Sequence, residues 1–396
     1  MSECLKILIL SASYGEGHVQ VSRALQKCFH SKGIDNVKIV DLFGEAHPVI
    51  NAITRFAYIK SFYIAPSIYG WLYYNSQQMG PDTVFSKLLN SFGSKKLKEM
   101  IMAEQPDAVI NTFPFPAISE FRKKTGIYVP TYTVITDFTL HHRWVQPEID
   151  KYYVATGDLK NEMVHSGIPP ERIKISGIPL RETFSGSSNI IGLHQKYGLN
   201  PAKRIVLVMS GAYGGLHKIR QICQSLLMMP DSEIAVVCGK DKTMERILKN
   251  YFCGCKPVHI FGFVEDIHEL MNLSCCIVTK AGGITLSEAV AAQLPIVIFR
   301  PVPGQERDNA LYFAKKKAAV VINQISEIPG QISDILFNEH HLSQIKPSVR
   351  SLQKHRATET VVADILNEMA KIQTIIKSGN PLQACRTPVK TSPLNK

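Results

Sequence analysis

The stretch from Lys280 to Ala289, Lys-Ala-Gly-Gly-Ile-Thr-Leu-Ser-Glu-Ala, carries the most specific chemistry in the chain. An apolar strand, Cys276-Ile277-Val278-Thr279, runs into the Gly282-Gly283 turn, and a helix opens behind it. That arrangement presents unpaired backbone N–H groups and the positive end of a helix to an anion, as a phosphate requires. About one turn further on, Glu288 is spaced to reach back to hydroxyls of whatever the phosphate carries. The next apolar strand, Ile296-Val297-Ile298-Phe299, delivers a second polar loop, Pro301-Val302-Pro303-Gly304-Gln305-Glu306, to the same sheet edge. A diphosphate with a ribose on one side and a second polyol on the other satisfies both loops. Taken alone, a Gly-Gly turn also answers a purely local backbone need.

Other polar positions fall at strand ends. His18 follows Gly15-Glu16-Gly17 at a strand-to-helix turn, where a side chain either faces a cleft or packs within the first helical turn, and position leaves both open. Asp137 and His141 occupy a polar loop after the strand Thr131–Ile135, placed to act as a base or to position an acceptor. Gly211-Ala212-Tyr213-Gly214-Gly215 follows the strand Ile205–Val208 and lets backbone approach a diphosphate. No Asp-x-Asp pair lies near these segments, so a departing diphosphate is expected to be met by N–H groups and a helix dipole, with no obligatory metal. Cys253 with Cys255 and Cys275 with Cys276 are too tightly spaced for zinc, and the nine cysteines read as reduced thiols.

The elements that must hold these residues fall into two series. Strands are expected at Ile7–Leu10, Val37–Val40, Ala108–Ile110, Thr131–Ile135 and Tyr152–Val154, and again at Ile205–Val208, Ile234–Val237, Val258–Ile260, Ile277–Val278 and Ile296–Ile298. Helical patterns alternate with them; Val21, Ala24, Leu25 and Cys28 give one apolar face to a helix beginning near His18. The alternation predicts an α/β chain with two doubly wound parallel sheets, whose carboxyl ends bind ligands. The expected division is a first domain over 1–184, a linker over 185–200 around the polar segment Phe184–Asn189, a second domain over 201–350, a helix over 351–376 and a disordered basic tail over 377–396.

Composition narrows the partners. The chain has 396 residues and a formal net charge of +12, from 45 Lys plus Arg against 33 Asp plus Glu. Such a surplus suits an anionic partner; no nucleic-acid motif is evident, an anionic lipid surface fits the charge equally well, and a surplus of this kind also serves solubility. No apolar run is long enough to span a bilayer, and the first residues lack the pattern of a secretion signal, so a cytoplasmic protein is expected. Phe56, Tyr58, Phe62, Tyr63, Tyr69, Trp71, Tyr73 and Tyr74 form a dense aromatic segment, with Lys87, Lys95, Lys96 and Lys98 following. It reads equally as an interfacial helix or as a core helix pair with exposed tyrosine tips. Arg122-Lys123-Lys124 and Lys315-Lys316-Lys317 are further basic runs.

Ser13-Tyr14-Gly15-Glu16-Gly17-His18, Asn111-Thr112-Phe113-Pro114, Val134-Ile135-Thr136-Asp137-Phe138, Ser176-Gly177-Ile178-Pro179 and Met209-Ser210-Gly211-Ala212 precede the Lys280 and Pro303 motifs in the chain. The set resembles, in the same order, the glycosyltransferases that include monogalactosyldiacylglycerol synthase and the peptidoglycan N-acetylglucosaminyl transferase. Over roughly Leu5 to Leu366 the chain is similar to the processive diacylglycerol glucosyltransferases of Gram-positive bacteria. The resemblance implies the GT-B architecture, two Rossmann-like domains facing a cleft with a last helix crossing back onto the first. It implies inverting transfer of glucose from UDP-glucose, without a cofactor, to diacylglycerol and then to glucosyl-diacylglycerol, making membrane glycolipid and lipoteichoic acid anchor. His18 would be the base and Asp137 the alternative. Gly17, Gly211, Ala212, Lys280, Gly282, Gly283 and Thr285 would serve the donor; Phe261-Gly262-Phe263-Val264 would hold uracil, Glu288 the ribose, and Gln305 with Glu306 the sugar. A lipid acceptor favours the interfacial reading of the aromatic segment, hence an acceptor- and membrane-binding first domain, anionic lipids as partners and a peripheral place on the cytoplasmic membrane face. No residue distinguishes glucose from galactose, so a UDP-galactose enzyme stays open, as do a UDP-N-acetylglucosamine 2-epimerase-like isomerase and a non-catalytic UDP-sugar sensor.

Overall fold

The computed structural model describes residues 5–13, 15–46, 48, 51, 53, 66–78, 93–115, 117–146, 148–181, 190–211 and 218–377. In the first domain, strands β1 (Ile7–Ser11), β2 (Val37–Asp41), β3 (Ala108–Asn111), β4 (Thr131–Val134), β5 (Lys151–Val154) and β6 (Ile173–Ile175) form one parallel sheet in the order β2-β1-β3-β4-β5-β6. Its helices are α1 (Glu16–Ser31), α2 (Leu42–Ala46), α3 (Pro66–Gln78), α4 (Ser94–Glu104), α5 (Ala117–Thr125) and α6 (Gly157–His165). The second sheet comprises β7 (Arg204–Met209), β8 (Ser232–Val237), β9 (Val258–Phe261), β10 (Ser274–Thr279), β11 (Ile296–Phe299) and β12 (Ala319–Ile322), ordered β12-β11-β10-β7-β8-β9. Around it lie α7 (Ile190–Tyr197), α8 (Ile219–Leu226), α9 (Lys242–Tyr251), α10 (Ile267–Leu273), α11 (Gly283–Ala291), α12 (Gln305–Lys315), α13 (Ile328–Phe337) and α14 (Glu339–Leu352), followed by α15 (Ala357–Lys377).

Both sheets are covered on both faces, so their central strands read as unbroken apolar runs; Ile7, Leu8, Ile9 and Leu10 are all buried, as are Ile205 to Val208. The strand order reverses between β1 and β3 in one sheet and between β7 and β10 in the other. At such a point neighbouring connections leave in opposite directions and open a crevice at the strands' carboxyl ends. His18 follows β1, and Gly282 follows β10.

The final helix crosses back and packs along α1. Its acids clamp the far edge of the first sheet: Lys151 Nζ lies 2.8 Å from Asp364 and 3.0 Å from Glu368, Lys174 Nζ lies 2.6 Å from Asp364, and the Tyr153 hydroxyl donates to Asp364 at 2.9 Å.

Several boundaries differ from expectation. Residues 190–200, expected within the linker, carry α7, whose Leu193 is buried in the second core together with Leu199; Lys196 and Tyr197 bind Glu269 of α10. The last helix begins at Ala357, because Ser351 and Leu352 end α14 and the chain turns through Arg356 at φ 55. Strands β6 and β12 were not anticipated; β6 reads Ile-Lys-Ile, too brief to register as a pattern. The rest of the expected linker at 185–189 and the tail from 378 lie outside the described residues.

Gly177, just before the turn into the second domain, has φ +82, and a Cβ there would stand 2.6 Å from the Lys354 Cβ and 3.2 Å from that of Ala357. The left-handed conformation alone costs about 1–2 kcal/mol for any other residue, and the contact adds to it. Gly177→Ala is therefore expected to lower the urea midpoint of unfolding, and a midpoint equal to the parent's would show that the segment shifts freely.

Candidate active site

The N-terminus of α1 has no side-chain cap and opens on the crevice beside β1. The half-buried His18 ring is fixed there: Nδ1 donates to the Thr112 carbonyl oxygen at 2.7 Å, with Thr136 Oγ1 3.2 Å away, and the Phe113 ring stands edge-on at 5.0 Å. A carbonyl only accepts, so the proton sits on Nδ1 and Nε2 is left as an acceptor.

The opposite wall is built by α11 and α12. The first turn of α11 likewise lacks a side-chain cap, and its leading N–H groups have no partner within the helix. A Cβ on Gly283 would overlap the Thr136 carbonyl oxygen of the first domain, whereas Gly282 has open space around it. The two glycines therefore do different things: Gly283 permits domain contact, and Gly282 leaves room at the helix end. Glu288, a turn later, is buried with no hydrogen-bond partner among the described residues.

Between the walls, Gln305 Nε2 donates to Asp137 Oδ1. Asn309, fully buried, accepts from Phe138 N at 3.0 Å and donates to the Ala281 carbonyl at 3.2 Å. Glu306 Oε1 takes Lys280 Nζ at 2.8 Å, while Oε2 is buried without a partner among the described residues. Lys240 pairs with Glu16 across the cleft and stands 5.5 Å over the Phe263 ring.

The structure thus gathers Gly17, His18, Asp137, Gly282, Gly283 and Gln305 at the meeting of the two domains, since Gly17 itself faces Ile284 of α11. Lys280, Glu306 and the half-buried Thr285 lie around them on the second domain. In the segment expected at uracil, the Phe261 carbonyl is taken by Cys238 N at 2.9 Å, which leaves the backbone of Gly262, Phe263 and Val264. Gly211, two residues beyond β7, has φ +82, and Ala212 lies outside the described residues. His141 packs edge-on against the Tyr73 ring at 4.7 Å. Sequence reasoning gave no part to Thr112, Thr136, Asn309 or Arg181, whose guanidinium acts on Glu288 and donates to the Glu265 carbonyl at 2.6 Å. The first two stand within quoted motifs, and Arg181 follows one, but none has a spacing that marks it.

Two family models match the chain: monogalactosyldiacylglycerol (MGDG) synthase over residues 18–180 and the glycosyltransferase family 28 C-terminal domain over residues 205–362. Proteins named processive diacylglycerol beta-glucosyltransferase, from Bacillus cytotoxicus and Bacillus thuringiensis, are each 43% identical over 364 residues, covering 92% of this chain and 94% of the relative. Among solved structures, Acinetobacter baumannii MurG superposes with a TM-score of 0.60 at 14% identity, covering 91% of this chain and 99% of the other. An S. aureus MnaA–UDP co-structure gives 0.61 at 15%, covering 91% and 96%. At that identity the two structures speak for the fold alone.

Burial displaces three site groups. It pushes the His18 imidazole down to about 4, outweighing the Thr112 hydrogen bond, so the ring is neutral at pH 7. It pushes Asp137 up to about 6, against hydrogen bonds from Gln305, Asn309 and Trp144. Glu288 rises to about 7 from the ordinary 4.5, with Arg181 pulling the other way. A carboxyl whose pKa is raised by folding holds its proton more tightly in the folded state; stability is intact below the unfolded value and fades as pH climbs through the folded one. Glu288→Gln removes that titration. The ligand-free variant is expected to match the parent near pH 4.5 and to exceed it at pH 8 by up to about 3 kcal/mol in urea melts, and parallel pH curves would refute the buried-acid assignment.

Proposed function

We propose a mechanism for the cleft from one premise: the chain belongs to the processive diacylglycerol β-glucosyltransferase family. It is a UDP-sugar hexosyltransferase that moves glucose from UDP-glucose to diacylglycerol, and then to the glucosyl-diacylglycerol so formed. The observation that carries the chemistry is the fixed tautomer of His18, with Nδ1 on the Thr112 carbonyl and Nε2 free, one residue from the Gly17 contact with α11.

Nε2 takes the proton of the acceptor hydroxyl, whose oxygen attacks the anomeric carbon on the face opposite the diphosphate. The bond from that carbon to the UDP oxygen breaks, and its electron pair leaves with UDP. Inversion follows from this in-line geometry. The growing charge on the leaving group meets the first-turn N–H groups of α11, which are already oriented. The Thr112 carbonyl steadies the imidazolium. A bound diphosphate also raises the His18 pKa from its ligand-free value, towards the range in which a general base works well. Asp137 is the weaker candidate because Gln305, Asn309 and Trp144 already engage its carboxylate. Glu288 binds ribose hydroxyls, and Gln305 with Glu306 binds those of the sugar.

Membrane attachment is assigned to the outer row of α3, where Ile68, Trp71 and Leu72 are 62%, 64% and 55% exposed, with the exposed Lys95 and Lys98 of α4 beside anionic headgroups. Among the described residues no helix is long and apolar enough to cross a membrane. Three parts of the expected surface drop out: Tyr74 points into the protein, Arg122 is bound to Asp150 at 2.7 Å, and Lys316 pairs with Asp158 at 2.8 Å. The segment from Phe56 to Tyr63 and Lys87 lie outside the described residues.

Incubation with radiolabelled UDP-glucose or UDP-galactose and diacylglycerol vesicles, read by thin-layer chromatography, tests the donor; labelling from neither sugar sinks the reading. His18→Ala is expected to leave UDP binding near the parent's while slowing transfer roughly a hundredfold to ten-thousandfold. A parental rate would pass the role of base to Asp137. Serine at both Trp71 and Leu72 should reduce co-sedimentation with anionic vesicles and leave UDP affinity in solution unchanged. Unaltered co-sedimentation would move the membrane face elsewhere.

A further inference from the structure

Helix α3 has two unlike faces. While Ile68, Trp71 and Leu72 look outward, Tyr69, Gly70, Tyr73 and Tyr74 look across the domain boundary onto the start of α12. A Cβ on Gly70 would stand 2.5 Å from the Pro303 Cβ. Gly304 has φ 101 and ψ −146, a region reserved for glycine, and a Cβ there would stand 2.9 Å from Tyr69 Cε1 and 3.1 Å from Tyr73 Cγ. The Tyr74 hydroxyl closes the contact by donating to Asp308 Oδ1 at 2.9 Å and accepting from Gly304 N at 3.3 Å.

One phenol therefore bridges both ends of the segment Gly304–Asp308. Gln305 and Glu306 stand between the bridged residues, the first reaching Asp137 and the second Lys280. This helix start has no side-chain cap of its own; Arg307 N on the Val302 carbonyl and Asp308 N on the Gly304 carbonyl, each at 3.0 Å, close its first turn, and the tie from outside the segment comes from the other domain.

We propose that Tyr74 is a positioning residue for the donor sugar: its hydroxyl sets the path of Gly304–Asp308, so that the sugar pocket is completed by the aromatic helix of the acceptor domain. This rests on the reading of Gln305 and Glu306 as the sugar-binding pair. It separates two parts of the donor, since the UDP moiety is assigned to α11 and its neighbours, whereas the Tyr74 hydroxyl is bound, among the described residues, to Gly304 and Asp308.

The test compares UDP with UDP-glucose by calorimetry on the full chain. Tyr74→Phe keeps the ring and removes the bridge. It is expected to bind UDP within about twofold of the parent and UDP-glucose about tenfold more weakly, the scale of one hydrogen bond to a charged group, with the KM for UDP-glucose rising more than kcat falls. Asp308→Ala, which removes the acceptor from the other side, should give the same pattern and guards against a folding defect particular to one variant. Gln305→Ala reports on the pocket itself and should weaken UDP-glucose but not UDP. If Gln305→Ala loses UDP-glucose selectively and Tyr74→Phe does not, Tyr74 has no positioning role. Equal losses of UDP and UDP-glucose in Tyr74→Phe would make it a purely structural contact and overturn the proposal. Parental UDP-glucose binding by Gln305→Ala would overturn the pocket reading, and the proposal with it.

Discussion

The carbonyl oxygen of Thr136 lies where any residue other than glycine at position 283 would place its Cβ, so the loop after β4 can rest directly on the first turn of α11. The same loop drives Phe138 between the domains, stacked on Tyr312 at 5.9 Å and edge-on to Phe313 at 4.7 Å, while its backbone N–H is held by Asn309. Because Thr136 also stands against His18, a single backbone approach sets the distance from the imidazole to the helix end. Fixing that distance in advance is how a cleft of two domains lowers the entropy cost of aligning a nucleophile with a leaving group. The crossover helix makes a second tie, with Gly177 packed against Lys354 and Ala357 and the Tyr153 hydroxyl donating to Asp364.

The fold was legible because a parallel sheet buried on both faces writes its strands as continuous apolar runs, and because Val21, Ala24 and Leu25 mark one face of α1. Short edge strands such as β6 left too little pattern, and the extent of α7 was hidden because Leu193 alone of its helix is buried. At the site, the motif residues were visible as types in order, but the sequence does not say what each touches. Gly282 and Gly283 read as one anion seat, and only coordinates separate the glycine that meets Thr136 from the one left open. The aromatic helix has two faces for a related reason: Tyr69, Tyr73 and Tyr74 share it with the exposed Trp71, and composition does not tell a ring that packs on Gly304 from one that meets solvent.

Three buried carboxyl groups in the cleft proposed to take a diphosphate present an electrostatic difficulty, and the arrangement answers it by separation. The N–H groups that suit phosphate open α11, whereas Glu288 sits a turn further along, and Glu306 is matched by Lys280. Burial lifts Glu288 to about 7, so much of its charge is absent near neutrality, whereas Asp137, lifted to about 6, stays mostly ionised and is met by the Gln305 amide. Hydroxyl recognition needs acceptors, and acceptors of this kind do not repel the donor as fully ionised acids would.

The same reasoning gives Glu288 a property that an ordinary exposed glutamate lacks. A diphosphate bound at the head of α11 brings further negative charge towards a carboxyl already poised near 7, and like charge raises such a group again. On the proposed reading of this site, a donor bound there would draw a proton onto Glu288. A protonated carboxyl donates one hydrogen bond and still accepts another, so it pairs with two neighbouring hydroxyls in either orientation, where a carboxylate only accepts. Arg181 opposes this by favouring the ionised form, and it stands at the junction of the two domains, just after Gly177.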